Sequence, residues 1–443
     1  MTVALTLAWL VWLPLPLGSN RDWAIGVLVA WAGLLGLLYG LILWRQPSPS
    51  ATEPPSSALQ PPPPLSAAQK AALPLLACLL AAQAWVAVQW LGGLTLDVGQ
   101  TFQYLMLGLS YTLVFWLVVS LFATRARLQM LLWTLVLSGA FQAFYGAFMT
   151  LSGIEWLFLT PKQYGLGNAT GTFVNRNHLA GYLAMTLGLG IGLLLALRDK
   201  RPFEWIHVLE LLLGPKARLR LALVIMVIGL VMTHSRGGNA AFVGSLLLLG
   251  AVYGWLEKEH RLRNGLILAS LLVIDVLIVS QYFGLERLTQ RVLATQVEVT
   301  QSAGAVTVDI NDLRDEVARD ALPLALDRPV IGQGAGSFES VFPQYAGPEI
   351  KGHADHAHND YLQFWIEYGA LGLLPLAAFV LLALWQALRP LLRREGAFRS
   401  GVGFGAGMAL TALLIHSFTD FNLQIPANAA TFVVVAAMAV LAG

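Results

Sequence analysis

Long apolar runs alternate with short polar breaks along almost the whole chain, and the period of the pattern is that of a bilayer. A helix that crosses the hydrocarbon core needs about 20 predominantly apolar residues. The runs predict twelve such spans, at 2–17, 23–44, 72–92, 102–122, 128–150, 178–197, 219–234, 238–257, 264–283, 361–388, 402–418 and 427–443. The first and seventh are the shortest. The opening run lacks a basic leader and an Ala-x-Ala exit, so it reads as a retained helix and not as a cleaved signal. No unit of 20–50 residues repeats, which excludes a solenoid.

Two long interruptions read differently. Residues 46–70 are rich in Pro and Ser and form a linker that cannot build a core. Residues 284–360 are long enough for a small folded cap, with helical patterning at 285–299 and 312–326 and a Gly-rich turn at 329–338. A third segment, 202–213, patterns as a short interfacial helix. The predicted organisation is two helices in 1–45, the linker in 46–70, spans three to nine in 71–283, the loop domain in 284–360 and spans ten to twelve in 361–443.

Basic residues set the sidedness. Arg45, Lys70, Arg125, Arg127, Arg198, Lys200, Arg201, Lys216, Arg218, Arg220, Lys258, Arg261, Arg263, Arg389, Arg393, Arg394 and Arg399 all fall on one face of a twelve-span chain, against a total of 27 Lys and Arg. That face is cytoplasmic by the rule, with both termini on it, and 284–360 lies outside.

Composition agrees. Of 443 residues 57% are hydrophobic and 12% charged, where soluble domains carry about 25% charged. The net charge of +2 gives no reason to expect nucleic acid. The single cysteine, Cys78, rules out an intramolecular disulfide and a Cys-based metal site, and reads as a packing residue.

Four polar islands interrupt the apolar chain, and the topology puts all four on the outer face: 171–178 (GTFVNRNH), 233–239 (THSRGGN), the 284–360 loop and 416–422 (HSFTDFN). Their shared sidedness points to one site. Arg236 stands at a tight turn among Ser235, Gly237 and Gly238. It reads either as an arginine reaching for headgroups or as a clamp on an anion, since a guanidinium grips phosphate bidentately. Arg314 and Arg319 read as helix-surface partners of Asp315 or Glu316, or as phosphate contacts. Gly332, Gly334 and Gly336 offer backbone N–H groups to a phosphate, or make a tight turn. His416 and Asp420 read as capping or packing residues.

The richest chemistry is in 353–363 (HADHAHNDYLQ), at the boundary with the tenth span. Titratable groups at such a boundary are costly to keep and mark functional sites. His353, His356 and His358 with Asp355 or Asp360 allow three readings: a metal site, caps for the following helix, or a general base oriented by its neighbours. We adopt the base.

The motif His358-Asn359, nine residues, Gly369, two residues, Gly372 resembles the signature of the O-antigen ligase superfamily. The blocks 171–178, Ser235-Arg236-Gly237, Arg314 through Asp327-Arg328-Pro329 to Gly332-x-Gly334, and 416–426 resemble the family's other blocks, so the resemblance spans roughly 165–430. It implies an all-α polytopic membrane protein, a glycosyltransferase of the GT-C type with a large, partly helical periplasmic loop, in a Gram-negative inner membrane. It further implies transfer of a glycan from undecaprenyl diphosphate to lipid A–core without metal or nucleotide sugar. Polymerases and protein O-oligosaccharyltransferases of the same superfamily are the alternatives. A lipid-oligosaccharide transporter is the alternative of another class, although it needs polar residues at mid-membrane and only Asp275 of the ninth span stands out there.

Carried over to this chain, His358 is the base that takes the acceptor proton, with inversion at the anomeric carbon. Arg236 and Arg314 stabilise the leaving diphosphate. Arg319, Arg176, Asn359, His356 and His178 are substrate or diphosphate contacts. In the family an aromatic often follows the loop arginine by four residues; here that position is Ala318, which keeps Arg319 beside Arg314 as the candidate.

Overall fold

The computed structural model describes residues 1–45, 65–158, 160–197, 215–256, 265, 314–350 and 352–443. Most of the linker, the expected interfacial helix at 202–213, the ninth span except Gly265, Asp275 and the helical pattern at 285–299 lie outside the described residues.

Each of the other eleven predicted spans overlies a helix. They are α1 (Thr2–Trp12), α2 (Asp22–Trp44), α3 (Ala67–Leu91), α4 (Val98–Leu121), α5 (Arg125–Ser152), α6 (Arg176–Ala196), α7 (Pro215–Met232), α8 (Arg236–Leu256), α10 (Asp360–Leu392), α11 (Gly396–His416) and α12 (Pro426–Ala442). Between them α9 (Arg314–Asp327) belongs to the loop domain. Eight helices among the described residues are long and apolar enough to cross a membrane; α1 and α12 are shorter, and α7, which carries Lys216, Arg218 and Arg220, is not among the eight. α1 is shorter than its apolar run because Pro14 and Pro16 follow it, and proline cannot continue a helix. The outer faces of α2 and α3 expose Leu34, Leu37, Leu41, Leu73 and Leu80, an apolar surface suited to lipid.

The centre of the bundle is α6, buried along its length and apolar on every side. It crosses α11 at an interface of glycines. A Cβ on Gly192 would lie 2.5 Å from Gly401 O and 2.5 Å from Gly405 Cα, and one on Gly188 would lie 2.9 Å from Ala409 N. Without a hydrophobic drive between helices in lipid, close backbone approach and dispersion hold such a pair.

α10 is not continuous. Gly369 takes φ 59° and ψ −174° and interrupts it. The segment 329–334 runs into the gap and pairs with the freed backbone: Gln333 N donates to Ile366 O (2.8 Å), Gly334 N to Glu367 O (3.0 Å), Ala370 N to Pro329 O (2.9 Å) and Leu371 N to Val330 O (3.1 Å). From α3, Trp85 Nε1 donates to Tyr368 O (2.8 Å) and Gln89 Nε2 to Glu367 O (2.9 Å). Irregular backbone at such depth persists only where protein satisfies it. The loop domain is thereby joined to the bundle. α9 packs Val317, Ala321 and Leu324 on Ile366, Phe338 and Phe342 in a small core of its own.

Candidate functional site

Three of the polar islands begin helices, and their side chains cap them. Asn175 caps α6 through the N–H of Asn177 (2.8 Å), Ser235 accepts from Gly238 N at the start of α8 (3.1 Å), and Asn359 caps α10 through Leu362 N (3.1 Å). The fourth island is the turn after α11. The three N-termini meet around it. A Cβ on Gly238 would lie 2.5 Å from Ala180 Cβ and 3.3 Å from His416 Cε1. Asp360 N donates to Ser417 O (3.0 Å), and Asn428 Nδ2 bridges His178 O and Asn422 Oδ1, both at 3.0 Å. The islands therefore share one end of the bundle, and three positive helix ends point at it, a setting that favours an anion.

At the centre Asp420 is fully buried. Arg314 Nη1 lies 3.5 Å from Asp420 Oδ2 and donates to Thr419 O at 3.1 Å, while His178 Nε2 is 3.7 Å from Asp420 Oδ1. Burial alone would raise the Asp420 pKa. The neighbouring His178, Arg314 and His416 outweigh it and hold the carboxyl below its usual range.

One aromatic ring organises the histidines. The Phe421 centroid is 4.7 Å from that of His178, 4.2 Å from His356 and 4.9 Å from His358, with His178 and His358 both edge-on at 72° and His356 tilted by 30°. Burial, then the charge of Arg314, pushes His358 down to about 4, and burial lowers His356 as well. Both imidazoles are neutral near pH 7. His358 also holds φ 50°, a left-handed conformation that costs a non-glycine residue about 1–3 kcal/mol and is found where surroundings fix it. Its Nδ1 is buried without a hydrogen-bond partner among the described residues, as are His178 Nε2 and His416 Nδ1.

Of the residues expected from sequence, His358, His356, His178 and Arg314 come together here. Asn359 stands beside them as the α10 cap. Arg236, exposed at the first residue of α8, makes no hydrogen bond or ion pair among the described residues. Its neighbour Gly237 abuts the same turn, since a Cβ there would lie 2.6 Å from Thr419 Oγ1. Arg176 Nη1 donates to Asn168 Oδ1 (2.9 Å), which also meets His234 Nδ1 (2.8 Å). Arg319 points elsewhere: its side chain is 65% exposed against 25% for Arg314, and it pairs with Glu349 at 3.4 Å. His353 likewise pairs with Glu339 at the surface, at 2.6 Å.

The glycines of 332–336 do not form a phosphate cradle. The N–H groups of Gly332, Gln333, Gly334, Ala335 and Gly336 donate in turn to Arg328 O, Ile366 O, Glu367 O, Gln89 Oε1 and Glu367 Oε2. Each is committed to the protein. Among the described residues no three His, Cys, Asp or Glu side chains are arranged to share a metal ion.

Sequence reasoning passed over Phe421, Gln363 and Glu367. Asp420 and His416 read from sequence as capping or packing residues, although an acid and an imidazole flanking an apolar span are a signal. Asp360, also buried, accepts from Ser417 Oγ (2.7 Å) and Leu423 N (3.0 Å) and so fixes the turn that carries Phe421.

Residues 221–377 match the protein-family model described as O-antigen ligase. Over those residues the match supports a likeness to the O-antigen ligase superfamily. It runs from α7 to the middle of α10 and takes in Arg236, Arg314 and His358. No curated protein matches the chain. The matched family and the apolar helices together point to a multi-pass membrane protein of the ligase or polymerase type.

Proposed function

We propose that this protein is an inverting, metal-independent glycosyltransferase that moves O-antigen polysaccharide from undecaprenyl diphosphate to lipid A–core at the periplasmic face. The observation that carries the reading is a neutral His358, held in a left-handed backbone conformation, that packs on the same 416–422 turn as Arg314 where three helix N-termini meet.

A neutral imidazole accepts a proton and Arg314 does not compete for it. His358 takes the proton of the acceptor hydroxyl as its oxygen bonds to the anomeric carbon. The bond from that carbon to the diphosphate breaks on the opposite face, and the diphosphate leaves with the electron pair. Arg314 and Arg236, with the helix ends, meet the charge that develops. That charge in turn raises the basicity of His358 when it is needed. His178 and Arg176 line the approach as further anion contacts.

The test is transfer in vitro by purified protein with lipid-linked glycan and lipid A–core. His358→Ala should insert normally and form no covalent product; an active variant removes His358 as base. Joining of repeat units to one another, with lipid A–core left bare, would assign the polymerase. Glycan movement across vesicles without a covalent product would assign the transporter.

A further inference from the structure

Gln363 lies one turn into α10 and is buried. It is not part of the reaction described above, yet it touches His356, Ala357 and Glu367. Its Oε1 accepts from Ala357 N at 3.1 Å, and its Nε2 lies 3.0 Å from His356 Nδ1 and 3.0 Å from Glu367 Oε1. The amide can stand only one way. Turned over, its oxygen would face the Glu367 oxygen and its N–H₂ would face the Ala357 N–H, two mismatches at once. Glu367 is itself anchored, because its other oxygen accepts from Gly336 N at 3.0 Å.

The consequence falls on His356. A group that donates to Nδ1 requires Nδ1 to accept, so the ring proton of the neutral imidazole sits on Nε2. Among the described residues Nε2 has no hydrogen-bond partner, and it is not among the atoms sealed from solvent. His356 therefore presents a fixed N–H, and no lone pair, beside Phe421, His358 and His178.

We propose that Gln363 is a positioning residue: it locks His356 as an Nε2–H donor that holds an oxygen of the sugar diphosphate. The substrate part of this rests on the transferase reading; the tautomer does not. The two imidazoles of the motif then have opposite duties, His358 to accept a proton and His356 to donate a hydrogen bond. A phosphoryl oxygen is the acceptor that this N–H suits, because Arg314 and the helix N-termini favour negative charge in the same place.

The experiment uses the full-length protein in lipid, labelled with ¹⁵N-histidine, with His356→Asn identifying the His356 signals. In the wild type at neutral pH, His356 should show a protonated Nε2 and an unprotonated, hydrogen-bonded Nδ1. The opposite tautomer, or a mixture, overturns the proposal without reference to activity. Gln363→Glu keeps the size and the acceptor for Ala357 N but turns the donor facing Nδ1 into an acceptor, so Nδ1 should gain the proton. Transfer should fall about 10- to 100-fold, the loss expected for one hydrogen bond to a charged group, chiefly as a raised KM for the lipid-linked donor. An unchanged KM with the tautomer reversed overturns the substrate contact. If the wild-type protein moves glycan across vesicles without a covalent product while the His356 tautomer is as stated, the transferase reading fails and the tautomer lock stands.

Discussion

Gly332 and Gly369 pack backbone against backbone. A Cβ on Gly332 would lie 2.6 Å from Gly369 N, and one on Gly369 would lie 2.5 Å from Gly332 N. Both have positive φ. The contact is the seam where the loop domain enters the broken helix α10, and no side chain fits in it. Gly369→Ala should destabilise the fold by about 1–3 kcal/mol from the backbone conformation alone, before the clash is added. Gly26→Ala on α2, where a Cβ meets nothing within 4 Å, is the control. Thermal unfolding in detergent compares them; equal midpoints would refute the seam.

The two loop arginines should part company. Arg314→Ala should lower kcat by about 100-fold or more, the scale for loss of one group that stabilises charge in a transition state. Arg319→Ala, a surface pair with Glu349, should stay within a few-fold of wild type. The reverse order in a transfer assay would move the site away from Asp420.

Arg236→Lys keeps the charge and loses the planar fork. Severe loss of transfer is expected if the fork grips a diphosphate. Turnover like that of wild type would make Arg236 a headgroup contact and nothing more.

Acid should act on the histidines in a defined direction. Folding lowers His358 from 6.5 to about 4, so between those values the unfolded chain holds the proton and the folded chain does not. Stability therefore falls as pH drops from about 6.5 to about 4. His358→Gln should flatten this part of the curve. The acid limb of kcat/KM should lie below 6.5 in the wild type, read from initial rates against pH.

The helix pair at the centre of the bundle gives a further contrast. Gly192→Leu or Gly405→Leu should stop folded protein from accumulating, because the space is filled by the backbone of the partner helix. Gly40→Leu on α2, where a Cβ meets nothing within 4 Å, should be harmless, as monodispersity after extraction would report.

The spans were legible because a bilayer demands contiguous apolar runs, and those runs survive any tertiary arrangement. The polar islands were legible for the same reason, and part of what singled them out proved to be helix capping by Asn175, Ser235 and Asn359. What the pattern hid was tertiary. Gly332-x-Gly334 has the spacing of an anion-binding turn, and only the neighbouring α10 shows that its N–H groups are taken. Gly369 is one glycine among 42, and nothing local says that it interrupts a helix. Phe421 is an aromatic in an apolar chain and carries no mark of the three histidines it gathers. Arg314 and Arg319 look alike in sequence; the face of α9 on which each stands separates them.

Phe421 has one more use. Three imidazole centroids lie 4.2, 4.7 and 4.9 Å from its own, so the carbon-bound protons of His178, His356 and His358 all sit in its ring current. Each proton shift carries a ring-current contribution, its sign set by where the proton lies relative to the ring, that Phe421→Leu would erase, so a single variant picks out the three histidines as a group. A molecule that nudges any of these rings on entering would be visible as a frequency change before a bond is made or broken.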